Sequence, residues 1–137
     1  MRAKKRKITL QLDKVYEFPV FVKADKERIE QVLINLIVNS IKYGNTNGIT
    51  TVGVESYSKN EFIIKIIDNG EGIKQEHIPR LFERCYRVDQ SRSREQGGSG
   101  LGLSIVKHIV EAHNETMLIN SVFKEGSEFS FTLKKAK

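Results

Sequence analysis

The side chains best suited to chemistry in this chain are two amides and an ammonium group. Asn35, Asn39 and Lys42 recur at helical spacing, so they would form one line along a helix. Amide oxygens suit a hard cation such as Mg²⁺, which keeps several waters and takes its remaining ligands from phosphates. The ammonium group of Lys42 can neutralise phosphate charge, and the next residue, Tyr43, offers a flat face for a base.

A second candidate segment is DNGEGI, at residues 68–73. Asp68 ends an apolar stretch, and Gly70 and Gly72 allow the backbone to turn tightly beside its carboxylate. A carboxylate in such a position can accept a hydrogen bond from an exocyclic amine, such as that of adenine. Taken alone, the segment fits an ordinary Asp-Asn-Gly turn better than a binding site.

The third candidate is the glycine-rich run GGSGLGL, at residues 97–103, which leads directly into a helical pattern. The unpaired N–H groups and the positive dipole end at a helix N-terminus favour phosphate. Leu103 stands where a P-loop has lysine, and the alternate Gly98, Gly100 and Gly102 do not match G-x-G-x-x-G. Both familiar nucleotide-binding motifs are therefore disfavoured, and a flexible hinge before a helix is the alternative.

The line of amides belongs to a predicted helix from Lys26 to about Tyr43, with Asp25 as its N-cap and Gly44 at its end. Apolar residues cover this helix nearly all round, so we expect it to be buried. A buried polar line without partners would cost about 1 to 3 kcal/mol per group. We therefore expect something polar to lie along it.

The rest of the pattern predicts an α+β fold. We expect two short N-terminal strands from Ile8 to Leu12 and from Pro19 to Val22 paired as a hairpin, strands at 49–57 and 62–68 with the second one central, a helix at 101–113, and a terminal hairpin of strands at 117–122 and 128–133. Residues 79–99 lack periodicity, which predicts a long loop or lid. This order favours a two-layer α/β sandwich with helices on one face of a mixed sheet.

Length and composition limit the class of protein. A chain of 137 residues with 39% hydrophobic content suits one domain with its own core. No apolar run reaches the roughly 20 residues that a membrane helix needs, and the single cysteine, Cys85, fits a reducing compartment. We therefore expect a cytoplasmic location. The net charge of +6 and the basic residues 2–7 raise nucleic-acid binding as an alternative, but a solvated stub at residues 1–7 is the simpler interpretation.

Four motifs carry a resemblance to a known family. NLIVNSIKYG, DNGEGI, LFERCYRVD and GGSGLGL occur in this order. They resemble the N, G1, F and G2 boxes of the catalytic and ATP-binding domain of bacterial sensor histidine kinases, within the group that includes DNA gyrase, the Hsp90 chaperones and MutL. The resemblance covers essentially the whole chain. It implies a Bergerat fold for residues 8–137, with a mixed, mostly antiparallel sheet, about three helices on one face and a long ATP lid.

The resemblance also implies roles at the metal and phosphate end of a bound ATP. Asn39 would hold Mg²⁺, and Asn35 would assist at the metal and phosphates. Lys42 would meet phosphate, and Arg87, in the lid, would reach the γ-phosphate. Asn35, Lys42 and Arg87 would then form the catalytic set.

At the base end, the resemblance implies that Tyr43 packs against the adenine and that Asp68 binds its amino group. The other residues expected to contact the nucleotide follow from the two glycine-containing motifs. They are Gly70, Gly72, Ile73, Gly98, Ser99, Gly100, Leu101, Gly102 and Leu103.

One position bears on the kind of reaction. ATPases of the gyrase and chaperone type have a glutamate four residues before the metal-binding asparagine, as general base for water, and this chain has Asn35 there. Without that carboxylate water is poorly activated, so the γ-phosphoryl group survives for transfer to another acceptor. The resemblance therefore favours a kinase over an ATPase.

The expected acceptor is not among the histidines of this chain. His77, His108 and His113 lack the sequence context of the family's phosphoacceptor histidine, which by the resemblance lies on a separate dimerisation domain. We expect a monomeric catalytic fragment whose partners are Mg-ATP, that domain and, indirectly, a response regulator, with no nucleic acid. The alternative is a nucleotide-binding regulatory module of the same fold without transfer activity.

Overall fold

The computed structural model describes residues 9–17, 19–43, 48–82 and 102–136. Its elements are, in chain order, β1 (Thr9–Leu12), β2 (Val22–Lys23), α1 (Lys26–Tyr43), β3 (Ile49–Ser58), β4 (Glu61–Asp68), a 3₁₀ helix (Gln75–Arg80), α2 (Gly102–Ala112), β5 (Met117–Val122) and β6 (Gly126–Lys135). No helix within the described ranges is long and apolar enough to cross a membrane.

The strands form one mixed sheet of six strands. β1 pairs with β3 in parallel, and the other pairings, β3 with β4, β4 with β6, β5 with β6 and β2 with β6, are antiparallel. β4 lies between β3 and β6, which confirms that this apolar strand is central. The β5–β6 pairing confirms the terminal hairpin.

The prediction of an N-terminal hairpin is wrong. β1 lies at one end of the sheet beside β3, and β2 lies at the other end, where Val22 pairs with Lys135 of β6. The alternating apolar residues from Ile8 to Leu12 predict a half-buried strand, but Leu10 and Leu12 of β1 are 50% and 62% exposed. Alternating hydrophobicity identifies a strand but not its partner, and here both partners lie far away in sequence.

The core lies between one face of the sheet and the helices. α1 and α2 pack against each other, and Ile78 of the 3₁₀ helix packs on the same core. The buried core residues are Ile29, Val32, Leu36, Ile64, Ile66, Leu81, Val106, Ile109, Val110, Phe129, Phe131 and Leu133. These layers confirm the predicted α+β sandwich, with two α-helices and one short 3₁₀ helix in the described ranges.

α1 begins where the sequence predicts but is not buried all round. The Asp25 carboxylate accepts the Arg28 N–H at 3.3 Å, as an N-cap does. Ile34, in contrast, is 59% exposed, so the apolar surface of α1 extends beyond its buried side. The expectation of a fully buried helix is therefore wrong, because the sheet and α2 cover only part of its circumference.

Candidate functional site

The site is centred on Asp68, the last residue of β4. Its Oδ1 accepts the Gly70 N–H at 2.9 Å, and its Oδ2 lies 3.4 Å from the Ser40 hydroxyl of α1. Burial raises the pKa of this carboxyl, while hydrogen bonds from the backbone of Gly70 and Ser127 and from the Ser40 side chain act to lower it. The carboxylate is thus held in place by donors and is only partly exposed to water.

Three residues with hydroxyl side chains, each from a different element, lie next to Asp68. Thr50 of β3 and Ser127 of β6 lie directly across from Asp68 in the sheet. Ser40 of α1 lies 2.8 Å from the Thr50 hydroxyl, and both residues are almost fully buried, at 2% and 1% exposure. The sequence does not single out these residues, although a serine within an apolar helix is a signal that its hydroxyl needs a buried partner.

The contact between Ser40 and Asp68 brings the line of amides to the end of β4. Asn39 precedes Ser40 on the same turn of α1 and is half-buried. No described residue hydrogen-bonds the Asn39 amide. A side-chain amide oxygen is a ligand that suits Mg²⁺, which completes its shell with waters and phosphate oxygens.

Asn35, one turn earlier, connects α1 to α2. Its Nδ2 donates to the main-chain oxygen of Gly102 at 3.4 Å. Gly102 is the first residue of α2, so the glycine run ends in a helix N-terminus as predicted. A Cβ atom at Gly102 would meet nothing within 4 Å, and Leu103 packs against the core. Within the polar line of α1, Asn35 therefore has a polar partner in α2.

The segment after Asp68 is packed against the β5–β6 turn. Gly72 has φ of 69°, and a Cβ atom there would lie 2.2 Å from the Val122 oxygen. Gly126 has φ of 141°, and its Cβ would lie 2.2 Å from the Asp68 oxygen. Only glycine fits these two positions, so their close approach is built into the backbone.

A buried serine joins the same segment to β5 and β6. Ser121 accepts the Ile73 N–H at 2.8 Å, donates to the Gly126 oxygen at 3.1 Å and lies 2.8 Å from the Ser127 hydroxyl. The sequence does not single out Ser121 as a site residue. Its one sequence signal is that a polar residue lies on the same face of β5 as Met117 and Ile119, which pack on the core.

Not every predicted site residue can be placed. Lys42 and Tyr43 end α1, and their side chains lie outside the described part of the structure. Arg87 and the residues Gly98, Ser99, Gly100 and Leu101 also lie outside it, as does most of the predicted lid. Among the predicted residues that the structure does describe, Asn35 bonds Gly102 and Gly70 bonds Asp68. The others in the described ranges are Asn39, Gly72, Ile73 and Leu103.

A metal held by protein carboxylates alone is not supported in the described ranges. They contain no group of three or more His, Cys, Asp or Glu residues that could hold a metal ion. The arrangement present is an amide at Asn39 on the helix whose Asn35 bonds the N-terminus of α2 and whose Ser40 contacts the Asp68 carboxylate. It suits a cation that arrives with the phosphates of a nucleotide.

Over residues 24–137 the sequence matches the family described as histidine kinase-, DNA gyrase B-, and HSP90-like ATPase. The sensor histidine kinase WalK of Bacillus subtilis (strain 168) is 37% identical over 115 residues, which cover 83% of this chain and 19% of WalK. The sensor histidine kinase YkoH of the same organism is 41% identical over 122 residues, which cover 89% of this chain and 26% of YkoH. The chain spans about a fifth to a quarter of the length of these relatives.

Solved structures share the fold. The catalytic domain of histidine kinase ThkA superposes with a TM-score of 0.77 at 26% identity, covering 99% of this chain and 86% of that one. Histidine kinase AdeS of Acinetobacter baumannii has a TM-score of 0.75 at 30% identity, covering 99% and 58%. Full-length ShkA, solved in complex with AMPPNP, has a TM-score of 0.81 at 23% identity, covering 98% and 27%. The predicted fold is confirmed as that of histidine kinase catalytic domains.

Proposed function

Since the chain belongs to the family of histidine kinase-, DNA gyrase B- and HSP90-like ATPases, we propose that it is the Mg-ATP-binding catalytic domain of a sensor histidine kinase. We assign residues 8–137 to that domain. The observation that carries the proposal is the meeting of α1 with the end of β4, where Ser40 contacts Asp68 and Asn39 is the adjacent residue.

At the base end, Asp68 accepts a hydrogen bond from the exocyclic amine of adenine. Support comes from its carboxylate, which is fixed by the Gly70 N–H and by Ser40 and is therefore preorganised before a ligand arrives. Gly72 allows the backbone that follows Asp68 to lie directly against Val122 of β5. Tyr43, at the end of α1, packs against that base.

At the phosphate end, the residues of α1 and the start of α2 act together. Bound Mg²⁺ would neutralise charge on the phosphates, and Asn39 would hold it through its amide oxygen. Asn35 ties α1 to Gly102 at the N-terminus of α2, whose dipole favours phosphate. Lys42 and Arg87 add positive charge, and the residues from Gly98 to Leu103 wrap the phosphates.

The reaction is transfer of the γ-phosphoryl group to an imidazole nitrogen. The bond between the γ-phosphorus and the bridging oxygen breaks, a phosphorus–nitrogen bond forms, and ADP leaves. Asn35 supports transfer over hydrolysis because its amide donates to the Gly102 oxygen and cannot remove a proton from water. Positioning and charge neutralisation then carry the catalysis.

The acceptor histidine lies on a separate dimerisation domain. His113 supports this, since its Nε2 accepts the Asp25 N–H at 3.1 Å and its Nδ1 lies 2.9 Å from the Ile109 oxygen, so both ring nitrogens serve the fold. The domain works in the cytoplasm, whether or not the parent protein is anchored to a membrane. A response regulator receives the phosphoryl group from the acceptor histidine. The domain itself is monomeric and does not bind nucleic acid.

Calorimetry with the purified chain tests the binding half of this proposal. We expect ATP to bind with an affinity that depends on Mg²⁺, and Asn39→Ala to weaken Mg-ATP binding by about tenfold or more, the effect of losing a contact to a charged group. Asn120→Ala, an exposed amide on β5, is the matched control and should bind as wild type does. Metal dependence that is unchanged in Asn39→Ala would refute the role of Asn39, and absence of ATP binding in the wild-type chain would refute the proposed function.

A further inference from the structure

We propose that Ser121 is a positioning residue that sets the base selectivity of the nucleotide site by holding the segment from Asp68 to Ile73; this inference rests on the proposed function. Ser121 lies on β5 and is buried. Its hydroxyl contacts Ile73, Gly126 and Ser127, so it acts on Asp68 through the backbone.

The hydroxyl of Ser121 uses its full hydrogen-bonding capacity. It accepts the Ile73 N–H at 2.8 Å and donates to the Gly126 oxygen at 3.1 Å. Since its one proton is committed to Gly126, the Ser127 hydroxyl, 2.8 Å away, is the donor in their contact. One side chain therefore joins the segment after Asp68 to both strands of the terminal hairpin.

Two stretches of backbone that are joined by Ser121 also donate hydrogen bonds to the Asp68 carboxylate. From β6, the backbone of Ser127 hydrogen-bonds the carboxylate. From the segment itself, the Gly70 N–H donates to its Oδ1. Ser121 bonds Ser127 and Ile73, so its hydroxyl links the two stretches of backbone that supply the donors to the carboxylate.

Other bonds attach the same segment to the hairpin without using the Ser121 hydroxyl. In the described ranges, the segment is also attached to the hairpin by the Lys124 N–H, which donates to the Glu71 oxygen. Gln75 donates to the main-chain oxygen of Ser121 at 3.0 Å, and this bond would survive a change of side chain. Removing the hydroxyl would thus leave the Ile73 N–H without its acceptor while the rest of the hairpin stays paired.

The test compares two nucleotides that differ only in the exocyclic amine: ATP and the triphosphate of purine riboside, which lacks the 6-amino group. In wild type we expect ATP to bind more tightly. In Ser121→Ala we expect the ratio of the two affinities to fall by about fivefold to tenfold, the effect of misplacing one hydrogen bond to the base. The affinity for the triphosphate of purine riboside should change little.

Two variants sharpen this comparison. Ser121→Thr keeps the hydroxyl and should restore the wild-type ratio, and Asn120→Ala, the exposed neighbour on β5, should keep it unchanged. All measurements are made below the melting temperature of each variant. If Ser121→Ala does not fold, Ser121→Cys, with a weaker hydrogen-bonding group, replaces it and should show the same fall in the ratio.

If wild type prefers ATP and Ser121→Ala keeps the same ratio of affinities, including by weakening both nucleotides equally, Ser121 has a structural role only and this inference is overturned. Failure of the wild-type chain to bind ATP would instead overturn the proposed function.

Discussion

Ser40 in α1 and Asp68 at the end of β4 are in contact, with 3.4 Å between the Ser40 hydroxyl and the carboxylate Oδ2. Ser40 is also hydrogen-bonded to Thr50 of β3, at 2.8 Å between the hydroxyl oxygens. This link fixes the helix that carries Asn39 relative to the strand that carries Asp68. The metal-binding and base-binding ends of the proposed site are therefore parts of one rigid arrangement.

Replacing Asp68 should separate function from stability. Burial raises the pKa of Asp68 in the folded chain above its value in the unfolded chain. A group of this kind favours folding at pH below its ordinary pKa, and that contribution is lost as the pH rises through the raised folded value. At neutral pH the ionised carboxylate therefore destabilises the fold, although the proposed function needs it.

We expect Asp68→Asn to raise the melting temperature at neutral pH and to weaken ATP binding by about tenfold or more, since a charged acceptor is lost. The gain in stability should shrink as the pH falls and Asp68 becomes protonated in wild type. Thermal unfolding at several pH values and calorimetry with ATP measure these effects. Glu55→Gln, which removes an exposed carboxylate 3.2 Å from Lys65, should change neither. A lower melting temperature in Asp68→Asn at neutral pH would contradict this account of its burial.

Local signals predicted the parts of the fold that depend on nearby residues. Asp25 is the N-cap of α1, Gly102 opens α2, and the terminal hairpin forms around Gly126 because capping and turn residues act within a few positions. Such signals do not predict the pairing of strands that are distant in sequence. The pairing of β2 with β6, and not with its neighbour in sequence, is an example.

In the candidate site, too, residues defined by local sequence could be predicted and residues defined by distant contacts could not. The motif containing Asp68, Gly70 and Gly72 could be located in the sequence because its residue types and spacing suit a tight turn beside a carboxylate. Ser40 and Ser121 could not, because their roles depend on which strand each one meets after folding. A serine has no fixed chemistry until its partner is known.

A second titrating group lies in the turn between α2 and β5. Glu115 is 8% exposed, and its Oε1 accepts the Thr132 hydroxyl at 2.7 Å. Its Oε2 is buried without a donor among the described residues, and the adjacent carboxyl of Glu61 can bond it only if one of the two carries a proton. Burial, followed by this contact with Glu61, raises the pKa of Glu115, and the charge of Lys134 partly opposes the shift.

Glu115 should therefore stabilise the domain at acidic pH and lose that contribution as the pH rises through its raised folded pKa. Glu115→Gln mimics the protonated form, so it should melt at a higher temperature than wild type at neutral pH and at the same temperature at acidic pH. Thermal unfolding across this range checks the prediction. Glu125→Gln, in the exposed β5–β6 turn, is the control and should follow wild type. A Glu115→Gln variant that is less stable at neutral pH would show that the ionised form is the one the fold favours.

Asn35 should control whether the γ-phosphoryl group of ATP is transferred to a histidine or to water. Asn35→Glu places a carboxylate where the related ATPases have their general base, and we expect hydrolysis of ATP to rise by about tenfold or more over the wild-type chain. Release of inorganic phosphate, followed with saturating Mg-ATP, measures this. Asn35→Gln keeps the amide chemistry and should hydrolyse ATP no faster than wild type. If Asn35→Glu and Asn35→Gln behave alike, the identity of this residue does not decide the reaction.

We propose that this chain transfers the γ-phosphoryl group of ATP but needs a histidine from another domain as the acceptor. The most direct measurement incubates it with γ-labelled ATP and Mg²⁺, alone and with the separately produced dimerisation and phosphoacceptor domain of its parent protein. We predict acid-labile label on the added domain, none on this chain, and loss of the signal in Asn39→Ala. Label on the chain alone would contradict the claim, and so would tight ATP binding without transfer to the added domain, which would instead indicate a regulatory module.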